Sequence, residues 1–255
     1  MPLDLAALRE ARPQNTFHYF ASTTSTMTEA AHLLGAGAAH GTVILADEQT
    51  AGVGRFGRQW ISEAEAGIYA SILLRLPLAP SDLPVASLLI GLATAEAIQR
   101  ASQLACDLRW PNDVLINERK AAGILPQLVA EFVIAGIGIN VNNTAFPHDL
   151  RTPATSLLLA SGGRRHSREQ LVIELLRSLD NFSELLATGG RESILRAFSA
   201  ASSYVRNRRV IVEENGMRAI TCGLDEHGFL LVRDASGSVV RISSGGIRPD
   251  RGETA

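Results

Sequence analysis

The 255-residue sequence predicts an α+β protein in which helices and short strands are followed by a small β-barrel. Up to about residue 204, segments with a helical apolar stripe alternate with short β-rich runs. A long apolar-striped helix is then followed by four consecutive β-rich runs, which is typical of neighbouring strands. After about residue 205 the helical pattern stops and only short strands remain. We therefore expect a main domain over residues 1–204 and a barrel domain over residues 205–255.

The composition bounds the class of protein. Hydrophobic residues make up 46% of the chain and charged residues 20%, which predicts a large packed core. A formal net charge of −2 does not indicate a nucleic-acid-binding surface. Cys106 and Cys222 form no C-x-x-C pair and the histidines lack metal-ligand spacing, so no zinc site is predicted. The N-terminus lacks a signal-peptide pattern and no apolar run reaches membrane-spanning length, so we expect a soluble cytoplasmic protein.

The first part of the chain alternates helix and strand signals. Leucines at positions 3, 5 and 8 predict a short N-terminal helix. A helix follows in STMTEAAHLLGAG, where Thr26 and Glu29 form a capping box and Gly35 or Gly37 provides a left-handed end. A longer helix runs from near Ser81 towards Gln103. The intervening apolar runs predict strands at residues 17–21, 41–47 and 67–76.

The second part begins with the β-rich runs CDLRW, DVLINE, AGILPQLV and EFVIAGIGINV, which predict neighbouring strands. The irregular segment NNTAFPHDLRTPATS follows, and its length suggests a functional loop. Ser167 and Gln170 form a predicted capping box at the start of the next helix. A last helix covers about residues 191–203. The remaining strands are separated by ENG, DEHG and ASG, which are typical turn sequences.

The glycine loop AGVGRFGRQW has the spacing of a dinucleotide-binding fingerprint at Gly52, Gly54 and Gly57. Its context excludes that assignment, because four residues separate the preceding strand from Gly52, another strand follows, and the ribose-binding carboxylate is missing. The sequence therefore does not favour a nicotinamide oxidoreductase. Glycines still let backbone amides approach a ligand, and Arg55 and Arg58 can grip phosphate or carboxylate oxygens. The loop is either an anion-binding lid or a mobile surface loop with solvated arginines.

Three further motifs carry polar residues at strand ends. In RWPND, Asn112 and Asp113 offer an amide and a carboxylate in one turn, although such residues also cap ordinary hairpins. In ERKAAGIL, Lys120 stands before an apolar strand, where it is either an anion-binding ammonium or a solvated charge. GIGIN places two glycines in a strand, which indicates either a close ligand or a β-bulge. Asn140 at its end has a donor and an acceptor, which suit the edge of an adenine ring.

The order of these motifs is more informative than any one of them. Over about residues 14–250 the chain closely resembles the biotin protein ligases. The resemblance is carried by five motifs in this order, followed by a small barrel: STM-x-E, DEQTAG-x-GR-x-GR-x-W, WPND, RKAAGIL and GIGINVN. The resemblance implies a mixed β-sheet flanked by helices, related to class II aminoacyl-tRNA synthetases, with an SH3-like C-terminal barrel. It also implies an enzyme that uses ATP and Mg²⁺ to convert biotin into biotinyl-5′-AMP. The biotinyl group then passes to a lysine of a biotin carboxyl carrier domain.

The resemblance also assigns site residues. Lys120 and Arg55 are the implied catalytic cations, and Asp113 is a weak contact to Mg²⁺ through the nucleotide. Ser25 and Thr26 should bind the ureido head of biotin, and Trp60 should pack near the adenine. The implied biotin site comprises Ser25, Thr26, Met27, Gln49, Gly52, Val53, Gly54, Arg55, Lys120 and Gly123. The implied ATP site comprises Arg55, Arg58, Trp60, Asn112, Asp113, Lys120 and Asn140.

Two positions depart from the family pattern. Val53 stands where the loop usually has an arginine, so one cation is missing and we expect a leakier adenylate. Met27 stands where asparagine is frequent, which removes a side-chain contact to biotin. About 15 residues precede the predicted core, too few for the DNA-binding domain that some family members carry, so we expect an enzyme that does not bind DNA. We also expect no membrane attachment, and either a monomer or a homodimer. The alternatives are a lipoate ligase-like acyltransferase and a biotin-binding sensor without catalysis.

Overall fold

The larger of two β-sheets forms the centre of the computed structural model, which describes residues 2–147, 149–250 and 252. Its strands are β1 (Thr16–Phe20), β2 (Thr42–Ala46), β3 (Ile68–Leu74), β4 (Asp107–Arg109), β5 (Asp113–Ile116), β6 (Arg119–Val129) and β7 (Phe132–Ile139). They lie in the order β1-β2-β3-β7-β6-β5-β4. β1 and β2 are parallel, whereas the other neighbouring pairs are antiparallel. The expectation of a mixed sheet is confirmed.

Helices cover the two faces of this sheet unequally. They are α1 (Leu5–Ala11), α2 (Thr26–Gly35), α3 (Leu83–Ser102), α4 (Leu157–Ala160) and α5 (Arg168–Ala201). Alternate strand residues point to opposite faces, so Val43 and Leu45 join the main core that includes α3 and α5. Ile44 instead joins a smaller cluster beneath α2. Part of the second face is therefore left open for a site.

Helix α3 and the preceding turn, Pro80–Ser102, are long and apolar enough to cross a membrane by length and composition. The expectation that no apolar run reaches that length was therefore wrong. The same segment is 78% buried inside the protein over its most apolar window. Helices buried on all sides read as hydrophobic all round, so this segment serves as the core helix of the fold.

Helix α2 does not begin with the predicted capping box. Ser25 is its N-cap, and the Ser25 hydroxyl accepts a hydrogen bond from the Met27 amide. The Thr26 hydroxyl is occupied by Gln49, 3.1 Å away, and Glu29 accepts from the Thr23 hydroxyl. The box at Thr26 and Glu29 was wrong because both side chains have tertiary partners. The residue with a left-handed backbone conformation after this helix is Gly37, with φ +90°.

The start of α5 is confirmed, and so is the break between the two predicted helices. Ser167 is the N-cap and accepts from the Gln170 amide at 3.1 Å. The Gln170 side chain donates to Glu174 instead of returning to the cap, so only half of the capping box forms. The two predicted helices follow each other directly within α5 and are separated by a kink at Gly190, where φ is +64°.

The C-terminal strands form a separate antiparallel sheet in the order β11-β10-β9-β8-β12. These strands are β8 (Arg206–Val212), β9 (Arg218–Leu224), β10 (Leu230–Arg233), β11 (Val239–Ile242) and β12 (Ile247–Pro249). Among the described residues no strand ladder joins β11 to β12. The predicted barrel is therefore an open five-stranded sheet, whose register shifts within β8–β9 and β9–β10 bend it.

The turn between β9 and β10 docks this sheet onto the rest of the protein. The buried indole of Trp110 donates from Nε1 to the Gly228 carbonyl oxygen at 2.9 Å. Next to it, His227 Nδ1 lies 2.7 Å from a carboxylate oxygen of Asp82, at the start of α3. The RWPND motif therefore connects the two sheets as well as the strands β4 and β5.

Candidate active site

Two adjoining cavities open on the sheet face opposite α3 and α5. The smaller, of about 60 Å³, lies between α2, the glycine loop and the central strands. The larger, of about 360 Å³, lies between the glycine loop, the RWPND turn and the C-terminal sheet. Both are lined by Gly54, Arg55, Trp60, Asn112 and Lys120. Every residue that the sequence assigned to the site lines one of these cavities, except Gly52.

Gly52 lines neither cavity, because it packs inside the loop. It is buried, and its carbonyl oxygen accepts from the Trp60 amide at 2.9 Å. An added Cβ would lie 2.6 Å from the Trp60 carbonyl oxygen. Gly52 therefore allows the two ends of the loop to approach each other, which a larger residue would prevent.

The floor between the cavities is a row of paired residues across four strands. Asp113 pairs with Gly123, Gly123 with Gly138, and Gly138 with Tyr69. Paired residues share a face of the sheet, so the two glycines leave a trough where side chains would otherwise project. The indole of Trp60 fills it: a Cβ on Gly123 would lie 2.8 Å from the ring, and one on Gly138 would lie 2.4 Å from it. The pairing is regular at Gly138, so the β-bulge alternative is wrong.

The inner end of the smaller cavity is a hydrogen-bonded polar network. Gln49 Oε1 accepts from the Thr26 amide at 2.9 Å, and Gln49 Nε2 donates to the Ser62 hydroxyl at 3.1 Å. The buried Ser71 hydroxyl donates to Thr26 Oγ1 at 2.9 Å. Sequence reasoning missed both serines, since neither belongs to a recognisable motif. The network orients the Thr26 and Gln49 side chains for a polar ligand.

Met27 provides an apolar wall of this cavity rather than a polar contact. Its sulfur lies 2.6 Å from the place of a Cβ on Gly136, the other glycine of GIGIN. The thioether of Met27 therefore packs directly against the backbone of β7 at Gly136, which has no side chain. Thioethers fit irregular apolar gaps well, which agrees with the loss of a side-chain hydrogen bond expected from the sequence.

A partly buried ion-pair chain forms at the junction of the cavities. Lys120 Nζ lies 2.6 Å from Asp113 Oδ1, and Arg109 Nη2 lies 2.5 Å from Asp113 Oδ2. Burial acts to raise the pKa of Asp113, but the charges of Lys120 and Arg109 outweigh it and hold the pKa below its ordinary value. Arg109 also donates to Thr152. Arg109 was missed, although RWPND contains it and the β4–β5 ladder pairs it with Asp113.

Arg55 joins the glycine loop to the C-terminal sheet. Its Nη1 donates to the Gly245 carbonyl oxygen at 2.8 Å and to Asn112 Oδ1 at 3.3 Å. Burial lowers the pKa of Arg55 below its ordinary value, yet a guanidinium stays protonated in proteins. Asn112 is fixed in turn, because its Nδ2 donates to the Ile124 carbonyl oxygen. Arg55 is therefore a fixed cation that contacts both cavities.

Asn140 lines the larger cavity, but its amide donors are occupied. Nδ2 donates to the Thr155 carbonyl oxygen at 3.0 Å and more weakly to the Lys120 carbonyl oxygen at 3.4 Å. The Lys120 amide itself donates to the Pro153 carbonyl oxygen. An adenine contact at Asn140 stays a prediction, and in this structure the side-chain donor is used by the backbone. Its amide instead fixes the loop segment that supports Lys120.

Trp60 separates the cavities while lining both. Its ring centre lies 5.4 Å from Lys120 Nζ, within the range of a cation–π contact. Its Nε1 is buried and has no hydrogen-bond partner among the described residues. Lys120, which contacts this ring and Asp113, is also the only lysine in the sequence, among 23 arginines.

Known proteins match both the sequence and the fold. Residues 19–142 match the Biotin/lipoate A/B protein ligase family. The chain is 34% identical to the biotin–[acetyl-CoA-carboxylase] ligase of Mycobacterium tuberculosis, over 81% of this chain and 78% of that protein. The ligase of the same name from Paracoccus denitrificans is 30% identical, over 86% of this chain and 95% of the relative.

The fold agrees with these relatives. The solved structure of biotin protein ligase from Aquifex aeolicus in complex with biotin and ATP matches with a TM-score of 0.79 and 27% identity. That match covers 91% of this chain and 97% of the other. Together with the cavities and their cationic junction, these similarities show that the chain belongs to the biotin/lipoate protein ligase family, and within it to the biotin protein ligases.

Proposed function

We propose that the two cavities carry out one reaction, in which biotin is activated by ATP and then transferred to a lysine of a biotin carboxyl carrier domain. Biotin occupies the smaller cavity and ATP the larger. The observation that carries this proposal is that Lys120 and Arg55 line both cavities at their junction. The carboxylate of one substrate and the α-phosphate of the other must meet there. The relatives named biotin–[acetyl-CoA-carboxylase] ligase support the same activity.

In the first step an oxygen of the biotin carboxylate attacks the α-phosphorus. The bond from that phosphorus to the β-phosphate oxygen breaks, and its electron pair leaves with pyrophosphate. Two anions must approach each other, so fixed positive charge at the junction lowers the barrier. Lys120 and Arg55 supply that charge. Asp113 and Asn112 hold these cations in place through the contacts described above, so little reorganisation is needed.

The smaller cavity orients biotin through its polar inner end. Ser25, Thr26 and Gln49 face the ureido head, and Met27 packs against the apolar part of the ring system. A cavity of about 60 Å³ is far below the roughly 300 Å³ at which small-molecule sites begin. The smaller cavity therefore widens when biotin enters, through movement of Val53 and Gly54, the part of the glycine loop that lines it beside Arg55. The mixed anhydride product is sensitive to water, and closure of the loop afterwards protects it.

In the second step the neutral amine of the carrier lysine attacks the biotinyl carbonyl carbon. The bond to the AMP oxygen breaks, so AMP leaves, the amine nitrogen gives up one proton to solvent and an amide forms. Mg²⁺ would be held chiefly by the phosphates of the nucleotide, as is usual for this ion, and would neutralise part of their charge. The part of the chain that the structure describes has no group of three acidic, histidine or cysteine side chains placed to hold a metal. Asp113 is a suitable but partial contact, because its carboxylate already faces two cations.

The wider assignments belong to this proposal. We place a catalytic domain at residues 1–204 and an accessory domain at residues 205–255, which contributes Gly245 and Glu213 to the larger cavity. The protein acts in the cytoplasm as a monomer or homodimer, without binding DNA or membranes. Near-neutral net charge supports the absence of a DNA-binding surface.

The test is to mix the protein with biotin, ATP, Mg²⁺ and a biotin carboxyl carrier domain and to record the intact mass of the carrier. We expect an ATP-dependent gain of one biotinyl group, which is lost in Lys120→Ala. Arg9→Ala, which removes an exposed charge from α1, is the matched control and should retain full activity. Biotin binding without any mass gain would contradict the ligase and favour a sensor, whereas transfer of lipoate alone would favour the acyltransferase.

A further inference from the structure

The larger cavity carries more positive charge than the reacting groups require. It is lined by five cationic and three acidic side chains: Arg55, Arg58, Arg109, Lys120, Arg151, Asp113, Asp149 and Glu213. Lys120 and Arg55 serve the α-phosphate in the proposed function, and Arg109 is paired with Asp113. Two arginines remain: Arg58, which the resemblance assigns to the ATP site without a specific contact, and Arg151, which has no assigned role. They come from two different loops, the glycine loop and the segment that follows β7.

Both of these arginines approach one carboxylate. Arg58 Nη2 lies 3.7 Å from Glu213 Oε2, and Arg151 Nε lies 3.7 Å from Glu213 Oε1. Arg151 also donates from Nη2 to the Glu213 carbonyl oxygen at 3.3 Å. Glu213 follows β8, and its side chain is only 10% exposed, whereas those of Arg58 and Arg151 are about half exposed. A single anionic group is thus held between two guanidinium forks.

This geometry indicates where a larger anion would be stable. Guanidinium groups bind phosphate oxygens through the same paired hydrogen bonds that they form with carboxylates. At 3.7 Å the pairs with Glu213 are looser than a direct hydrogen bond of about 2.9 Å, so they can be exchanged at small cost. The long side chains are attached to loops and can swing from Glu213 into the cavity. The carboxylate therefore neutralises them while the cavity is empty.

We propose that Arg58 and Arg151 form a clamp for the pyrophosphate end of ATP, and that Glu213 occupies the clamp as an exchangeable stand-in. The inference rests on the proposed function and extends it to residue 151, which the motifs did not assign. When the bond between the α-phosphorus and the bridging oxygen breaks, the electron pair and its negative charge pass to pyrophosphate. A clamp at that end stabilises the developing charge and therefore assists both ATP binding and the chemical step.

The experiment measures biotin-dependent pyrophosphate release at varied ATP, together with inhibition of this step by added pyrophosphate. We expect Arg151→Ala to raise KM for ATP and to weaken pyrophosphate inhibition by about tenfold each, the effect of one charge-assisted contact. The Kd of biotin should stay the same. Arg151→Lys keeps the charge but loses the two-pronged guanidinium. Its KM for ATP and its pyrophosphate inhibition should lie between those of the wild type and of Arg151→Ala. Arg165→Ala is the matched control, because Arg165 is exposed and lines neither cavity.

Glu213→Gln tests the stand-in separately. Removing the competing charge leaves both guanidinium groups available, so pyrophosphate should inhibit more tightly than in the wild type. An Arg151→Ala enzyme that matches Arg165→Ala in both constants would overturn the clamp. Unchanged or weaker inhibition in Glu213→Gln would overturn the stand-in. A wild-type protein that releases no pyrophosphate with biotin would instead contradict the proposed function itself, so the two failures are distinguishable.

Discussion

Gly138→Ala adds one methyl group where the structure has no room for it. The new Cβ would lie 2.4 Å from the Trp60 indole, whereas carbon atoms pack at about 3.5 Å or more. The ring must therefore shift by about 1 Å or leave the trough. Gly138 does not have a positive φ, so the backbone accepts alanine and the conflict is confined to the indole.

The size of the effect follows from the cost of overpacking. Forcing an extra methyl into a filled site costs about 1–3 kcal/mol. Because Trp60 belongs to a loop, we expect most of that cost to appear in ligand binding rather than in folding. kcat/KM for biotin should fall roughly 5- to 150-fold. Tm should fall by less than about 4 °C, the shift that 1 kcal/mol produces in a chain of this size.

Two measurements check this prediction, and one variant controls it. Pyrophosphate release at varied biotin gives kcat/KM, and tryptophan emission should shift to the red as Trp60 becomes solvated. The other tryptophan, Trp110, is 3% exposed and should not respond. In the control Gly91→Ala, the methyl meets Leu108 at an ordinary 3.6 Å, so activity should be unchanged. Wild-type kcat/KM and emission in Gly138→Ala would refute the reasoning.

Three further predictions concern charge and protonation. Val53→Arg should slow the release of biotinyl-AMP, because a second cation then faces the smaller cavity. Asp113→Asn should destabilise the fold by about 3 kcal/mol, since Lys120 and Arg109 lose their shared partner. The Asp113 pKa is lowered by folding, so this stabilisation is present above its unfolded pKa of about 3.9 and disappears as pH falls through the folded value. Burial raises the pKa of Cys106 to about 12, so its thiol should resist alkylation at pH 8 in the native protein.

Each of these predictions has a direct check. Equal adenylate release by wild type and Val53→Arg, measured without carrier, would contradict the first. Denaturant unfolding of Asp113→Asn and wild type at pH 7 and at successively lower pH tests the second, which predicts a stability difference that shrinks as the pH falls through the folded pKa of Asp113. Peptide mapping after alkylation tests the third, and native Cys106 reacting as fast as in unfolded protein would contradict it.

The sequence was most informative where a motif acts locally. The residues of the glycine loop, of RWPND and of GIGIN each lie close together within one strand or turn. Strand pairing then brings the three motifs together at one face of the sheet. Gly123 and Gly138 illustrate this, because each is unremarkable alone and only the register between β6 and β7 makes them a trough. Motif order predicted that juxtaposition through the resemblance, while the residues by themselves left it open.

The failures have a common physical cause, which is competition from distant partners. Ser25 and Thr26 are both good N-caps, and the choice is decided by Gln49, which occupies the Thr26 hydroxyl. From the sequence alone the side-chain amide of Asn140 is available to bind a base. In the structure its Nδ2 instead donates to the carbonyl oxygen of Thr155, fifteen residues later. Arg151 and Glu213 are brought together only by the docking of the C-terminal sheet, so no local pattern could predict them.

The presence of a single lysine has a consequence for chemical labelling. A ligase that makes an acyl adenylate generates a reagent that acylates nearby amines, its own included. Apart from the N-terminal amine, this chain offers that reagent only the amine of Lys120, which is held by Asp113 at 2.6 Å. The protein is therefore a poor target for its own product. In a mixture of proteins, attached biotin can then be attributed to proteins other than this one. The chain is therefore a suitable fusion domain for labelling the proteins that lie near its fusion partner.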